Sequence, residues 1–177
     1  MAGCVLIFLS CKTDTVGTNG SNSISRRTTI DSTSGYGFSF DRGSPQRIPA
    51  YPIPDTVDDF DAGFVITSES GPEPLGLCFS GYTDQMFHLV HGFSTFDSAR
   101  TFFVALSEIT DTSFIQNTCG GFGVAHTDPV IRVNQVWSIQ TRQNKFAKML
   151  IVTDTIVANH PQVTFDWVYQ PSGSRQF

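Results

Sequence analysis

The stretch that decides the fold is residues 163–170, which read Val-Thr-Phe-Asp-Trp-Val-Tyr-Gln. A large apolar side chain occupies every second position, so these side chains share one face of a β-strand and the residues between them share the other. Residues 136–142 and 145–152 flank Gln143-Asn144, a two-residue turn in which asparagine tolerates a positive φ. The three segments together predict an antiparallel meander with one strongly aromatic face.

Shorter strands are predicted upstream of this meander. Residues 36–40 read Tyr-Gly-Phe-Ser-Phe and alternate aromatic with small side chains, which is typical of a half-buried strand. Residues 41–59 contain four prolines, so we expect irregular or edge structure there. The other predicted strands, each bounded by turn residues, are 60–67, 75–80 and 86–90.

One helix is predicted, from residue 98 to about residue 108. Apolar residues recur at i, i+3, i+4 and i+7 from Ala99, which places them on one helix face that would cover a sheet. Asp97 is the expected N-cap, where its oxygen and its negative charge both suit the positive end of the helix. The fold class is therefore mainly β, with antiparallel sheets or a meander and one packing α-helix. The predicted packing face comprises Ala99, Phe102, Phe103 and Leu106.

The composition narrows the classes of function. The chain has 177 residues, of which 15% are charged and 12% aromatic, so it suits one buried core and excludes a disordered or coiled-coil protein. The formal net charge is −5 at pH 7. A nucleic-acid-binding domain needs a basic surface to neutralise phosphates, so we expect no nucleic-acid partner.

The N-terminus carries a candidate membrane anchor. Residues 1–12 read MAGCVLIFLSCK, an apolar run followed by Ser10-Cys11. This ending resembles the Leu-Ser-Cys lipobox of Bacteroidetes lipoproteins, which implies that Cys11 is acylated, that residues 1–11 form a signal-like segment and that the membrane is a partner. The alternative is an apolar first strand in which Cys4 and Cys11 are buried thiols.

The residues after the candidate anchor predict a tether. Residues 13–35 are dominated by Ser, Thr, Gly and Asn, a composition that cannot bury enough apolar surface to become ordered. We therefore predict a flexible polar linker over residues 12–35 and a single β-rich domain over residues 36–177.

The meander also carries a family resemblance. Residues 136–142 (Val-Trp-Ser-Ile-Gln-Thr-Arg), 145–148 (Lys-Phe-Ala-Lys) and 164–174 (Thr-Phe-Asp-Trp-Val-Tyr-Gln-Pro-Ser-Gly-Ser) resemble the C-terminal half of the HmuY-like family of Bacteroidetes lipoproteins. Residues 59–64, Asp-Phe-Asp-Ala-Gly-Phe, are similar to that family's Asp-Trp-Asp-aliphatic-x-Phe strand. The resemblance implies a mostly antiparallel β lipoprotein of the outer membrane, facing the periplasm or the cell surface.

The resemblance implies a ligand as well. The best-known members of that family capture haem through a pair of axial side chains, so haem or another small apolar ligand is expected, with no metal beyond haem iron. Neutral imidazole and thioether groups can ligate that iron. His88 and His91 are three positions apart, which on a regular strand puts them on opposite faces, so they are not expected to share one iron. The candidate ligands are His126, His160, His88 and Met86.

A second class of function stays open. The polar linker and the aromatic sheet faces also suit a cofactor-free surface protein that acts through protein or glycan contacts, with an outer-membrane protein as a candidate partner. Neither reading needs catalysis, and the chain contains no GxSxG, HExxH or CxxC motif. We therefore expect a binding protein and assign no catalytic residue.

Four remaining features are interpreted structurally. Cys78 and Cys119 are candidates for a disulfide, the alternative being two buried free thiols. Residues 117–128 are glycine-rich but lack the lysine of a phosphate-binding loop, so a flexible loop is predicted. The acidic cluster at residues 58–61 lacks calcium-loop spacing and is expected to face solvent. Met149 is expected to pack in the core.

Overall fold

The computed structural model describes residues 24–31, 35–47, 61–67, 76–80, 85–115, 131–158 and 160–177. Within them the chain forms strands and one helix whose order confirms the mainly β class. The elements are β1 (Ile24–Ile30), β2 (Tyr36–Ser39), β3 (Ser44–Arg47), β4 (Ala62–Thr67), β5 (Gly76–Ser80), β6 (Met86–Gly92), α1 (Phe96–Ala105), β7 (Gln135–Gln140), β8 (Phe146–Val157) and β9 (His160–Gln170).

The strands form two antiparallel sheets. The larger sheet has five strands in the order β1-β9-β8-β7-β6, and the smaller has four in the order β3-β2-β4-β5. The predicted meander is present as β7, β8 and β9, with Trp137 paired to Met149 and Met149 paired to Trp167. β3 is an edge strand that contains Pro45, in line with the edge structure expected for the proline-containing segment.

The turn between β7 and β8 is longer than predicted. Gln140 pairs with Phe146, so five residues form the connection instead of two. Thr141 holds it by donating its backbone N–H to the carbonyl of Lys145 at 2.8 Å. Asn144 does adopt the positive φ expected of it, at 56°. The sequence located the turn but not its length, which the closing backbone hydrogen bond decides.

The two sheets pack on an aromatic core. The ring of Phe38, from the smaller sheet, lies in edge contact with Phe165 at 5.2 Å and Trp167 at 5.3 Å, measured between ring centroids. Offset and edge contacts of this kind add to the free energy of apolar burial. Met149 is fully buried in the same cluster, as predicted. The large side chains of the aromatic core are Phe38, Phe40, Phe87, Trp137, Phe165, Trp167 and Tyr169.

The linker prediction is wrong for its second half. Ile24–Ile30 form β1, which pairs along its whole length with β9, from Ile24 opposite Tyr169 to Ile30 opposite Val163. Composition alone suggested a tether because the segment is polar. As an edge strand, however, it needs only one apolar contact face and one partner for its backbone hydrogen bonds, and Ile30 is fully buried.

Asp61 also departs from its expected place. Its carboxylate turns inward and accepts the backbone N–H of Phe40 at 2.7 Å and the hydroxyl of Ser39 at 3.3 Å. Burial raises the pKa of Asp61, against the lowering effect of those hydrogen bonds. The carboxylate therefore closes the end of β2.

The helix begins and ends earlier than predicted. Thr95, not Asp97, is the N-cap, and its Oγ1 accepts the backbone N–H of Ser98 at 3.3 Å. Asp97 lies within the first turn, where its charge still suits the positive helix end. The predicted packing face is confirmed, because Ala99 and Phe103 are buried against the five-stranded sheet. No helix of the described residues has the length and apolarity to cross a membrane.

Candidate functional site

A β-bulge in β6 decides which way its candidate ligands point. His88 pairs with Ser138 and His91 pairs with Val136, with Val90 as the extra residue between them. Ser138 and Val136 are two residues apart, so His88 and His91 lie on the same face of the sheet. The expectation of opposite faces was wrong, since an inserted residue reverses the alternation. Met86 shares this face, which is the face that α1 covers.

His91 is exposed, whereas its neighbours on this face, His88 and Met86, are partly buried. Its exposed ring lies 4.4 Å from that of Phe93 and 6.2 Å from that of Phe102, between centroids. Phe93 and Phe102 lie 5.1 Å apart, so the three rings form one cluster. Among the described residues no hydrogen bond or ion pair reaches the His91 imidazole. Its nitrogens are therefore available to a ligand.

The ring cluster continues into a shallow depression on α1. Phe102 belongs to both features, and the depression is largely apolar in lining. We call the cluster and the depression together the aromatic shelf. The shelf is open to solvent, so it suits a flat ligand that is bound through one face. It offers little enclosure to a small polar ligand. The depression is lined by Asp97, Ser98, Thr101, Phe102 and Ala105.

His88 is already engaged. Its Nδ1 lies 3.2 Å from both the carbonyl and the hydroxyl oxygen of Ser113, and its Nε2 lies 3.3 Å from Oδ2 of Asp111. The Ser113 hydroxyl donates to Oδ1 of Asp111 at 2.6 Å. These hydrogen bonds, together with the Ser113 backbone N–H, lower the pKa of Asp111. The Ser113 hydroxyl thus donates directly to the carboxylate of Asp111. In the catalytic triad of hydrolases the histidine lies between the serine and the carboxylate, so this arrangement is different.

The contacts of His88 hold residues 111–115, which we call the strap, against the edge of the sheet. Phe87 and Ile115 exchange two backbone hydrogen bonds at 2.7 and 2.8 Å, so the strap continues the ladder beyond β6. Phe114 adds an edge contact to the His88 ring at 6.0 Å. Ligation of a metal by His88 would break these contacts, which favours a structural role for this residue.

His160 lies far from the other described candidates. It is exposed where β9 begins, opposite Val157. The strand registers align His88 of β6 with Val168 of β9, three strands across the sheet. His160 lies a further eight residues along β9 from Val168. With about 3.4 Å per residue and about 4.8 Å per strand, His88 and His160 are on the order of 30 Å apart. The structure therefore does not bring these two together around one iron.

Several predicted residues lie outside the described part of the chain. These include Cys11, with the signal-like segment, and Cys119 and His126, with the glycine-rich loop. Cys78 is within β5, opposite Val65. Because Cys119 is not described, the disulfide between the two stays a prediction. Across the described ranges no three His, Cys, Asp or Glu side chains gather as a metal site.

One buried cation was missed by the sequence reasoning. The Lys148 side chain donates from Nζ to the carbonyls of Phe103 at 2.8 Å and Leu106 at 2.6 Å, at the negative end of α1. The rings of Phe103 and Phe177 lie 5.0 and 5.3 Å from Nζ. Burial lowers the pKa of Lys148 to about 8. A lysine inside the apolar run Phe-Ala-Lys-Met-Leu-Ile-Val was the available signal.

A buried carboxylate was missed as well. Asp166 is only 4% exposed, and it accepts Nε and Nη2 of Arg27 at 2.6 and 2.9 Å. Nη1 of Arg100 donates to the same group at 2.7 Å. β1, β9 and α1 are thereby joined on the flank of the helix opposite the aromatic shelf. The lone acid in an aromatic strand was the signal, because a charge in such a run needs a partner when buried.

Comparison with known proteins adds little to this geometry. No protein-family model matches the chain, and no curated protein matches it. Among solved structures, that of the apo HmuY analog (TFO) of Tannerella forsythia is similar over 87% of this chain and 100% of its own, with 14% identity and a TM-score of 0.36. A likeness this weak does not establish a common fold or transfer a residue's role, so the HmuY-like resemblance stays a prediction from sequence.

Proposed function

We propose that this protein is a lipid-anchored binding protein of the bacterial cell envelope, and that its aromatic shelf holds a small planar apolar ligand. Haem is the ligand to test first. The observation that carries the proposal is the exposed His91 imidazole, free of polar partners among the described residues and set against Phe93 and Phe102. The lipobox-like Cys11 and the HmuY-like segments supply the envelope location and the ligand class as expectations.

The shelf offers one donor that suits haem. The exposed His91 imidazole would hold the iron, since a neutral imidazole ligates haem iron through a ring nitrogen. The Phe93 and Phe102 rings offer apolar contact to a porphyrin. Such contact makes the free energy of binding more favourable, because it removes flat apolar surfaces from water. His126 is predicted from the sequence as a second residue that would hold the iron. In this role the side chains bind and orient, and no bond of the ligand is broken.

A titration of the purified protein with haemin tests the proposal. We expect the Soret band to shift and to saturate at micromolar protein. His91→Ala should weaken binding by about tenfold or more, equivalent to about 1.4 kcal/mol. The matched control is His160→Ala, another exposed histidine, which lies at the tip of the β8–β9 hairpin and should bind as the wild type does.

Two results would contradict the proposal. A wild-type protein that leaves the Soret band unshifted does not bind haem, and a His91→Ala variant with unchanged affinity does not bind it on the shelf. His126→Ala then separates the second position: loss of affinity together with a changed Soret maximum supports two axial histidines, whereas an unchanged spectrum leaves His91 as the single protein ligand.

The anchor has its own test. When the gene is expressed with its full upstream sequence, Cys11→Ser should release the protein from the membrane fraction, because the thioether that carries the acyl chain can no longer form. Cys4→Ser is the matched control and should leave the distribution unchanged. A Cys11→Ser protein that stays with the membranes would show that the lipobox interpretation is wrong.

A second function is favoured by a different part of the molecule. The hairpin of β8 and β9 ends in two exposed aliphatic side chains, Ile156 at 52% and Val157 at 54%. The two side chains point to opposite faces of the hairpin, so each face of its tip offers an apolar contact to another protein. This observation supports the cofactor-free class, in which the protein acts through protein contacts.

A further inference from the structure

The hairpin of β8 and β9 reaches past both of its neighbours. Among the described residues, β7 pairs with β8 only as far as Leu150, and the last backbone hydrogen bond on that side runs from Asn134 N–H to the carbonyl of Ile151 at 2.9 Å. On the other side, β1 ends where Ile30 pairs with Val163. Residues 153–157 and 160–162 therefore form a two-stranded extension, which we call the distal ribbon.

The outer edge of the distal ribbon has the features of an edge that can pair with another β-strand. Residues 153–157 read Thr-Asp-Thr-Ile-Val, so four of the five are β-branched and one is charged. Among the described residues no strand pairs with this edge beyond Ile151. Proteins usually protect such edges with lysine, proline or a bulge that turns the edge away. Here the bulge at Val152 precedes the open residues, and no lysine or proline follows on β8.

We propose that the distal ribbon pairs with a second copy of this chain, β8 against β8, antiparallel about a two-fold axis near Thr155. Backbone N–H and C=O groups on an exposed edge are satisfied by another strand, and a two-fold dimer presents the same edge on both sides. The two five-stranded sheets would then be continuous. The pairing also covers Ile156 and Val157, which a two-stranded ribbon alone leaves in water.

Charge decides the register. With Thr155 at the axis, Thr153 faces Val157 of the second copy and Asp154 faces Ile156, so the carboxylates are not opposed. With Asp154 at the axis the two carboxylates would face each other directly, which is destabilising. The strand is thus self-complementary in the first register and not in the second. This inference rests on the strand edge and does not depend on the aromatic shelf.

Sedimentation velocity of the full chain tests the proposal. Over about 1 to 100 μM, we expect a concentration-dependent dimer. Thr155→Lys places like charges next to the axis and should weaken association by about tenfold or more. Thr112→Lys adds the same charge to an exposed position in the strap and should leave association unchanged. A wild-type chain that stays monomeric at the highest concentration overturns the proposal.

Crosslinking locates the interface independently. Thr155→Cys should give a covalent dimer under oxidising conditions, because residues facing each other across a two-fold axis in a sheet have Cα atoms about 4.5 to 5.5 Å apart. Thr112→Cys is the matched control and should not exceed the wild-type background. If Thr155→Lys fails to fold by circular dichroism, this experiment decides. A dimer that Thr155→Cys does not crosslink uses another surface, and the proposal is then wrong.

Discussion

The two faces of the five-stranded sheet use different physical chemistry. One face is dry and aromatic, with Trp137, Trp167 and Tyr169 packed against the smaller sheet. The other face, under α1, contains two buried charged groups, Lys148 and Asp166, among smaller apolar residues. The same strands build both faces, since neighbouring residues of one strand point to opposite sides.

The difference between the faces separates the part of the sheet that stabilises the fold from the part that positions the candidate site. The aromatic core derives its free energy from apolar burial, which needs no partner of defined geometry. The helix face depends on specific contacts, in which Lys148 fixes the end of α1 and Asp166 fixes its flank through Arg100. Those contacts hold Phe102 beside His91. The first face therefore stabilises the fold, and the second positions the side chains proposed to bind ligand.

The largest effect is expected from Trp167→Ala, which opens a cavity in the aromatic core. Trp167 contacts Phe38 and Phe40 and donates its indole N–H to Thr28 at 3.0 Å. The free energy of unfolding, measured with urea, should fall by about 3 to 5 kcal/mol. Val104→Ala, on the exposed side of α1, should change it by less than about 0.5 kcal/mol. Equal losses from the two variants would contradict the assignment of stability to the aromatic core.

A smaller effect is expected from Asp166→Ala on the helix face. Removal of the carboxylate takes away the ion-pair partner that the two guanidinium groups share, but the Arg27 and Arg100 side chains are 52% and 37% exposed, so water replaces part of the interaction. We expect a loss of about 2 kcal/mol in the free energy of unfolding.

The matched control is Glu108→Ala, which removes an exposed carboxylate just beyond α1. Its removal should change the free energy of unfolding by less than about 0.5 kcal/mol. A double-mutant cycle with Arg100→Met measures the coupling of Asp166 to α1. Coupling near zero would mean that this ion pair does not hold the helix.

A third effect is a pH dependence. Burial lowers the pKa of Lys148 from 10.5 to about 8, so between these pH values the unfolded chain binds a proton that the folded chain has released. The contribution of Lys148 to stability should therefore rise with pH in this window, at most by about 1.4 kcal/mol per pH unit, and be lost as pH falls through 8.

Lys148→Met isolates this contribution from other groups that titrate in the same range. The difference in unfolding free energy between wild type and variant should shift in favour of the wild type from pH 8 to pH 10. A difference that is constant with pH would show that the Lys148 ammonium is not disfavoured by its place under α1.

The strands were predictable where one face is apolar. Residues 163–170 and Tyr36, Phe38 and Phe40 alternate because only one side of each strand meets the core, and that alternation is local to the sequence. The helix face of α1 was predictable for the same reason. Its start was not, since Thr95 and Asp97 are both good caps and the tertiary structure chooses between them.

Much of the candidate site could not be predicted. His91 joined the face of His88 because Val90 is inserted opposite no partner, and a bulge depends on the register of β7. β1 lacked an apolar pattern, yet it pairs with β9 over seven residues. Both features come from hydrogen bonds between strands distant in sequence.

The sequence by itself determined the class of the fold, the meander, the packing face of the helix and the aromatic faces of residues 36–40 and 163–170, because apolar periodicity follows from burial on one side of an element. Only the tertiary structure decided that Ile24–Ile30 is a strand, that Lys148 and Asp166 are buried with partners, and that His91 is exposed beside two phenylalanines. These outcomes depend on which strands become neighbours, and long-range pairing leaves no periodic mark in the chain.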